Sequence, residues 1–327
     1  MITTATTPTL ALLFPGQGSQ SVGMGRAFYA AYPAARAVFE EADDALGFPL
    51  SDIIFNGPED TLKLTEHTQP AILTVSVAAL RVLEPELAAR HLTIAYAAGH
   101  SLGEYSAHVA AHTFSFADAV RTVRARGQFM QSAVPAGQGA MAAILGLNLP
   151  DIEATCAAVS AELAPEVVAT ANLNSPDQTV ISGSAAAVAR AAELCKELGA
   201  KRAVMLPVSG PFHSPLMMPA QLQLEHQLQT ISFHTPRFPV AANVDASLLL
   251  QPDAIRDALI RQVTGAVRWV DCIQQLQLSN VTHYIEVGPG KVLSGLNRQI
   301  DRSLSTTNVE DPASLEKTLA ALTATPA

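Results

Sequence analysis

Three times along the chain a short, almost unbroken apolar run stops at a glycine-containing turn and gives way to helical periodicity. Thr-Leu-Ala-Leu-Leu-Phe at residues 9–14 closes into Pro15-Gly16-Gln17-Gly18-Ser19-Gln20, and helical spacing follows across residues 28–46. Residues 92–98 lead into Gly99-His100-Ser101-Leu102-Gly103 and a helix through Ala111. Residues 283–287 lead into Gly288-Pro289-Gly290 and a helix from Lys291. A strand with no polar alternation has to be covered on both faces. Such strands alternating with helices predict an α/β fold around a parallel sheet.

Between about Gly139 and Val208 the pattern changes. Strand 140–147, helix 151–163, strand 167–173, strand 179–182, helix 184–198 and strand 202–208 spell β-α-β-β-α-β, the ferredoxin-like order. Gly137-Gln138-Gly139 and Ser209-Gly210-Pro211 are the expected hinges. The predicted organisation is a large α/β domain from residues 1–136 and 209–327 with a small ferredoxin-like subdomain, 137–208, inserted in it. The cleft between them is the natural place for a ligand.

Composition removes several function classes. The chain has 327 residues, 49% apolar and 15% charged, which places it with globular proteins rather than disordered ones. Its formal net charge of -9 argues against a nucleic-acid or anionic-lipid coat, so an anionic partner must meet a local basic patch. The richest apolar stretch, 70–83, contains Thr74, Ser76 and Arg81 and is too short to span a bilayer. The run ending at Phe14 is shorter than a signal-peptide core. Cys156, Cys195 and Cys272 lie far apart with no C-x-x-C pair, which supports neither a disulfide framework nor a zinc site and fits a reducing cytoplasm. The Thr-rich start and the tail after Ala321 are expected to fray.

Gly99-His100-Ser101-Leu102-Gly103 follows a strand and opens a helix, the context a G-x-S-x-G nucleophile elbow requires. Glycines let strand and helix approach around a strained turn that pushes the hydroxyl clear. Ser101 to Glu104 also spells a capping box, but a cap needs no glycine on either side, so the nucleophile is favoured. A serine needs a base, most often histidine. Of nine histidines, His213 in Gly210-Pro211-Phe212-His213-Ser214-Pro215 is pinned by prolines where the chain re-enters the large domain. It is the candidate base, with an ordinary loop histidine standing equally open on these residues alone. Arg124 and Arg126 both border the apolar stripe of helix 116–130, and periodicity does not choose between them. A guanidinium fork there would hold a carboxylate bidentately, whereas an ordinary arginine at an apolar edge would snorkel. Gly16 and Gly18 lack the third glycine of a dinucleotide loop, and Gly290-Lys291-Val292 lacks the hydroxyl residue of a phosphate loop.

Phe14-Pro15-Gly16-Gln17-Gly18-Ser19-Gln20, Gly99-His100-Ser101-Leu102-Gly103-Glu104, Arg126-Gly127-x-x-Met130-Gln131, Gly210-Pro211-Phe212-His213-Ser214 and Glu286-Val287-Gly288-Pro289-Gly290 occur in this order. Together they resemble the malonyl-CoA:acyl carrier protein transacylases and the acyltransferase domains of polyketide synthases, from about Leu10 to Ile300. The resemblance implies a hydrolase-like core with an inserted ferredoxin-like subdomain. It also implies ping-pong transfer of malonyl through Ser101 to the phosphopantetheine thiol of acyl carrier protein, with His213 as base and acid. Gln17 and Leu102 would give the oxyanion N–H groups, Arg126 rather than Arg124 would bind the acyl carboxylate, and the Gln262 backbone would orient His213. Gln69 and Asn174 would line the pocket. Leu102 and Phe212 resemble the malonyl-selecting form, Phe212 crowding an α-methyl group for about 10 to 200-fold discrimination. No cofactor is implied, since malonyl-CoA is a substrate. Arg190, Lys196, Lys201 and Arg202 are candidates for docking the acidic carrier or the coenzyme A phosphates. A serine esterase using the same elbow, and a non-catalytic module that docks carrier proteins, are the competing functions. A monomer is the default, and the motifs fit fatty acid and polyketide supply alike.

Overall fold

The structure is a computed structural model that describes residues 8–208 and 210–323. The segments expected to fray lie largely outside these residues, as does Ser209 of the second expected hinge.

The first apolar run is β1 (Leu10–Phe14), buried at every position. The strand before the elbow is β2 (Ile94–Gly99). The middle third supplies β3 (Gly139–Leu145), β4 (Val168–Ser175), β5 (Gln178–Ser184) and β6 (Arg202–Met205). The last third supplies β7 (Val240–Ala241), β8 (Leu248–Leu249), β9 (His283–Val287) and β10 (Ser305–Val309). The larger sheet runs β10-β9-β1-β2-β7-β8. Every neighbouring pair in it is parallel except β7 with β8. Helices cover both faces. One face packs on Phe28, Phe39, Tyr105 and the 25-residue helix Thr65–Ala89, the other on Trp269, Ile273 and Leu296.

The smaller sheet is antiparallel, in the order β4-β5-β3-β6. Helices Leu149–Glu162 and Ala185–Glu197 bury Ile152, Val159, Val188 and Ala191 against it. Backbone bonds tie this sheet to the chain after the candidate base: Val267 N donates to Ala171 O at 2.8 Å, and Leu173 N donates to Val267 O at 2.8 Å.

Residues 28–46 are not one helix. Tyr32 is extended (φ -127°, ψ 117°) between helices Arg26–Ala31 and Pro33–Leu46. Pro33 disfavours helical backbone at the residue before it and starts the second helix at its own fixed φ. β7, β8 and β10 had no counterpart in the sequence pattern.

Candidate active site

Close packing at the end of β2 builds the elbow. A Cβ on Gly99 would stand 1.9 Å from Gly103 C, and one on Gly103 would stand 2.0 Å from Phe14 O. Neither space admits even a methyl group. The chain therefore turns at Ser101 with φ +50°, a backbone region an L-residue other than glycine occupies only under constraint. Ser101 does not cap the helix Gly103–Ala110, which begins at Leu102 without a side-chain cap. Its hydroxyl instead reaches His213 Nε2 at 2.7 Å.

His213 also sits at positive φ, +58°, and is 4% exposed. Its Nδ1 faces two carbonyl oxygens, Gln262 O at 2.8 Å and Gly265 O at 3.1 Å. A carbonyl only accepts, so Nδ1 carries the proton and Nε2 is left free to accept the one on Ser101. Burial, then the Arg126 charge, pushes the His213 pKa down to about 3. The imidazole is therefore neutral at any ordinary pH.

The two arginines that periodicity left equal are separated by their surroundings. Arg124 stacks over the Phe48 ring, 4.2 Å from its centroid. Arg126 turns inward and is 1% exposed. Its Nη1 donates to Gln69 Oε1 at 2.7 Å, and its Nη2 donates to Gln262 Oε1 at 2.9 Å and to Ser101 Oγ at 3.1 Å. All three acceptors are neutral oxygens, and Nε is buried with no acceptor among the described residues.

Sequence reasoning did not foresee the polar support behind these residues. Asn243, just past β7, accepts from Ser101 N at 2.7 Å and donates through Nδ2 to Gly99 O at 2.7 Å, bracketing the strained turn. Gln262 Nε2 donates to Ser101 O at 2.9 Å and to Glu104 Oε2 at 2.7 Å, and Asn243 N donates to the same carboxylate oxygen at 3.1 Å. Glu104 is completely buried, and desolvation raises its pKa to about 7 against the lowering effect of these donors and of Arg126. A polar residue directly after the apolar run 238–242 was the available signal for Asn243. Nothing in the sequence ties it to a residue 142 positions earlier.

The remaining expected residues fall around this core. Gln17 is exposed and its amide donates to Thr65 Oγ1 at 3.5 Å. The backbone N–H groups of Gln17 and Leu102 have no acceptor among the described residues. Phe212, 7% exposed, precedes His213 in the main apolar core. Asn174 does not touch Ser101, His213 or Arg126 through any hydrogen bond; its Oδ1 meets His100 Nε2 at 2.8 Å. His100, stacked beside Trp269, thus points from the elbow to the smaller sheet. His108 is buried against Phe114 and bonded to Thr113 Oγ1 at 3.0 Å. Among the described residues no group of three or more His, Cys, Asp or Glu side chains could hold a metal ion, and no helix is long and apolar enough to cross a membrane.

The model of the acyl transferase domain family matches residues 11–315. The chain belongs to the acyl transferase domain family. Among members of that family, the malonyl CoA-acyl carrier protein transacylase of Bacillus subtilis is 48% identical over 307 residues, which are 94% of this chain and 95% of the relative. The malonyl CoA-acyl carrier protein transacylase of Coxiella burnetii superposes with a TM-score of 0.93 at 41% identity, covering 97% of this chain and 99% of that one. A malonyl-transacylase solved in complex with its type II polyketide-synthase acyl carrier protein superposes with a TM-score of 0.91 at 43% identity, covering 96% and 99%.

Proposed function

We propose that this acyl transferase moves a malonyl group from malonyl-CoA to the phosphopantetheine thiol of acyl carrier protein through an ester on Ser101. The observation that carries the choice of acyl group is the buried Arg126 guanidinium. It touches the nucleophile and has neutral acceptors only. A malonyl ester is short enough for its carboxylate to fold back onto a cation that already contacts the ester oxygen. The unpaired Nε–H, costing about 1–3 kcal/mol as it stands, gives that cation a donor to spare.

The steps follow from the hydrogen bonds. His213 Nε2 takes the Ser101 proton as Oγ attacks the thioester carbonyl, and the N–H groups of Gln17 and Leu102 receive the oxyanion, each contributing on the order of a hundredfold or more in rate. The C–S bond breaks, and the imidazolium returns its proton to the coenzyme A thiolate. The carrier thiol then gives its proton to His213 and attacks the Ser101 ester; the Oγ–acyl bond breaks, the imidazolium returns the proton to Ser101 Oγ, and the malonylated carrier leaves. The Gln262 and Gly265 carbonyls hold the tautomer that a triad carboxylate holds elsewhere, so no aspartate is needed.

Other parts of the proposal rest on the surroundings. The β-α-β-β-α-β order and the β4-β5-β3-β6 sheet support a ferredoxin-like subdomain at 137–208 inserted in a large domain formed by 1–136 and 209–327. Phe212 beside the base supports malonyl over methylmalonyl. Lys196, Lys201 and Arg202 form the docking face for an acidic carrier; Arg190 is partly spent on Glu162 and Glu193, 3.7 and 3.9 Å away. The enzyme acts in the cytoplasm as a monomer, without a cofactor, in fatty acid or polyketide synthesis.

Intact-mass measurement after incubation with malonyl-CoA tests the scheme. A malonyl adduct on Ser101 that persists until a carrier thiol arrives is the expected result. Rapid release of malonate without an acceptor would make the protein an esterase, and no adduct with carrier binding intact would make it a docking module.

A further inference from the structure

Glu104 is a fully buried carboxylate with no part in the steps above. It reaches the reacting groups through one side chain. Gln262 donates from Nε2 to Glu104 Oε2 and accepts through Oε1 from Arg126 Nη2, so a single amide spans the carboxylate and the guanidinium. The polarity of that amide is forced. Reversing it would set Gln262 Oε1 against the Glu104 carboxylate and the Ser101 carbonyl, and its NH2 against the guanidinium. Arg126 has only neutral oxygens in direct contact, which leaves Glu104 as the buried anion that balances it. Oε1 of Glu104 has no hydrogen-bond partner.

We infer that Glu104 is the resident counter-ion of Arg126, relayed through Gln262, and that a malonyl carboxylate arriving on Arg126 displaces it from that role, so that malonyl loading takes up a proton at Glu104. The inference rests on Arg126 as the acyl carboxylate site. Two anions then share one buried cation, and a buried carboxylate left without its counter-charge accepts a proton from water. Oε1 is the oxygen able to receive it. The other ionisable groups facing Glu104 do not relieve the charge. Asp245, from the β7–β8 turn, adds repulsion. Tyr105, next to Glu104 on its own helix, and Cys272, from the helix Trp269–Leu278, are held neutral by burial, and His213 is neutral as well. Burial already raises the Glu104 pKa to about 7 in the free enzyme, so both protonation states are within experimental reach.

The sign follows. Below pH about 7 Glu104 is protonated before malonyl binds, and affinity is independent of pH. Above it, binding must draw a proton from solution, and affinity falls by up to tenfold per pH unit. Acetyl-CoA carries the same phosphates but no acyl carboxylate, and leaves Glu104 paired with Arg126.

The test is the KM for loading of Ser101 between pH 6 and 9, with malonyl-CoA and acetyl-CoA, in the native enzyme and in Glu104→Gln. Expected is a KM for malonyl-CoA that is level at low pH and rises above about pH 7, a level KM for acetyl-CoA, and loss of the malonyl rise in the variant. A level native profile with malonyl-CoA, or an equal rise with acetyl-CoA or in Glu104→Gln, overturns the inference. Should Glu104→Gln fail to fold, calorimetry on Ser101→Ala at pH 8 in buffers of different ionisation enthalpy replaces it. Proton uptake with malonyl-CoA and none with acetyl-CoA is expected, and no difference between the two overturns the inference. Absence of any Ser101 adduct in the native enzyme would instead refute the proposed function.

Discussion

Ser101 Oγ and His213 Nε2 meet at 2.7 Å with both residues in left-handed backbone, at φ +50° and +58°. Two non-glycine residues in this region cost on the order of 1–3 kcal/mol each, and both are held there by neighbours that do not react. Asn243 and the Gln262 amide pin the backbone of Ser101. Carbonyls of Gln262 and Gly265 pin the ring of His213. The strained backbone sets Ser101 Oγ and His213 Nε2 against each other, as the proposed chemistry requires.

Removing the nucleophile separates chemistry from fold. Ser101→Ala keeps the backbone bonds to Asn243 and Gln262, so thermal unfolding should stay within a few degrees of the native enzyme. Adduct formation should fall by at least about 10⁴-fold. Quenched time courses with malonyl-CoA measure the second quantity, and residual loading at a tenth of the native rate would mean another nucleophile.

The elbow glycines should behave in the opposite way. In Gly103→Ala the new methyl would lie 2.0 Å from the Phe14 carbonyl oxygen, which is backbone of a fully buried strand and cannot move aside. A loss of about 3 kcal/mol or more is expected from this forced overlap, read as a lower midpoint in urea. Gly18→Ala, where an added Cβ meets nothing within 4 Å, carries only the penalty of its φ of +105° and should lose less.

Selectivity for the acyl group should follow the guanidinium. On the proposed reading Arg126→Ala removes the partner of a malonyl carboxylate, a group that acetyl lacks. The ratio of kcat/KM for malonyl-CoA over acetyl-CoA should therefore fall by roughly 10 to 100-fold, corresponding to about 1–3 kcal/mol. The variant also strands Gln69 and Gln262, so absolute rates should drop for both substrates; the ratio is the measurement that decides. An unchanged ratio would remove Arg126 from carboxylate recognition.

These sites differ in how far the sequence reveals them. β1, β2 and β9 are legible because each lies inside the sheet between two neighbours and so is written as a largely apolar run. β10, Ser-Thr-Thr-Asn-Val, lies at the edge of the sheet with only Val309 fully covered, and an edge strand has no need of that pattern. β7 is two residues long and leaves too short a record. The elbow is legible because its glycines and serine are adjacent in the chain. The Arg126 assignment came from resemblance, since two arginines bordered the same stripe and only the Phe48 ring, brought up by the fold, claims Arg124. Asn243, Glu104 and the Gln262 side chain act through contacts across more than a hundred residues, and no local pattern encodes such a meeting.

The low basicity of His213 has a direct consequence for pH dependence. Its pKa is pushed down to about 3, chiefly by burial. The neutral form that accepts the Ser101 proton therefore persists as pH falls through 6.5, where an exposed histidine would charge and stop acting as a base. An uncharged serine-reactive fluorophosphonate, which needs the Ser101–His213 pair but neither Arg126 nor Glu104 as a charge partner, isolates this step. Its labelling rate should be level from about pH 8 to pH 5 and fall only on further acidification. A midpoint near 6.5 would show that the imidazole is hydrated in solution and that Nε2 is open to water.

Carrier docking should depend on charge at the smaller sheet. Lys196, Lys201 and Arg202 stand at or beside the end of helix Ala185–Glu197 and the start of the edge strand β6, and have no ion-pair partner within 4.0 Å among the described residues. The whole chain carries a net charge of -9, so docking of an acidic carrier calls for a local basic patch such as this one. Replacing all three with Glu should raise the KM for carrier protein about tenfold or more and steepen at low salt, because exposed charges act through a screened field. Malonyl loading from coenzyme A should stay within about twofold, since none of the three lies among the residues around Ser101. If loading fell in parallel with carrier transfer, the patch would belong to the coenzyme A phosphates instead.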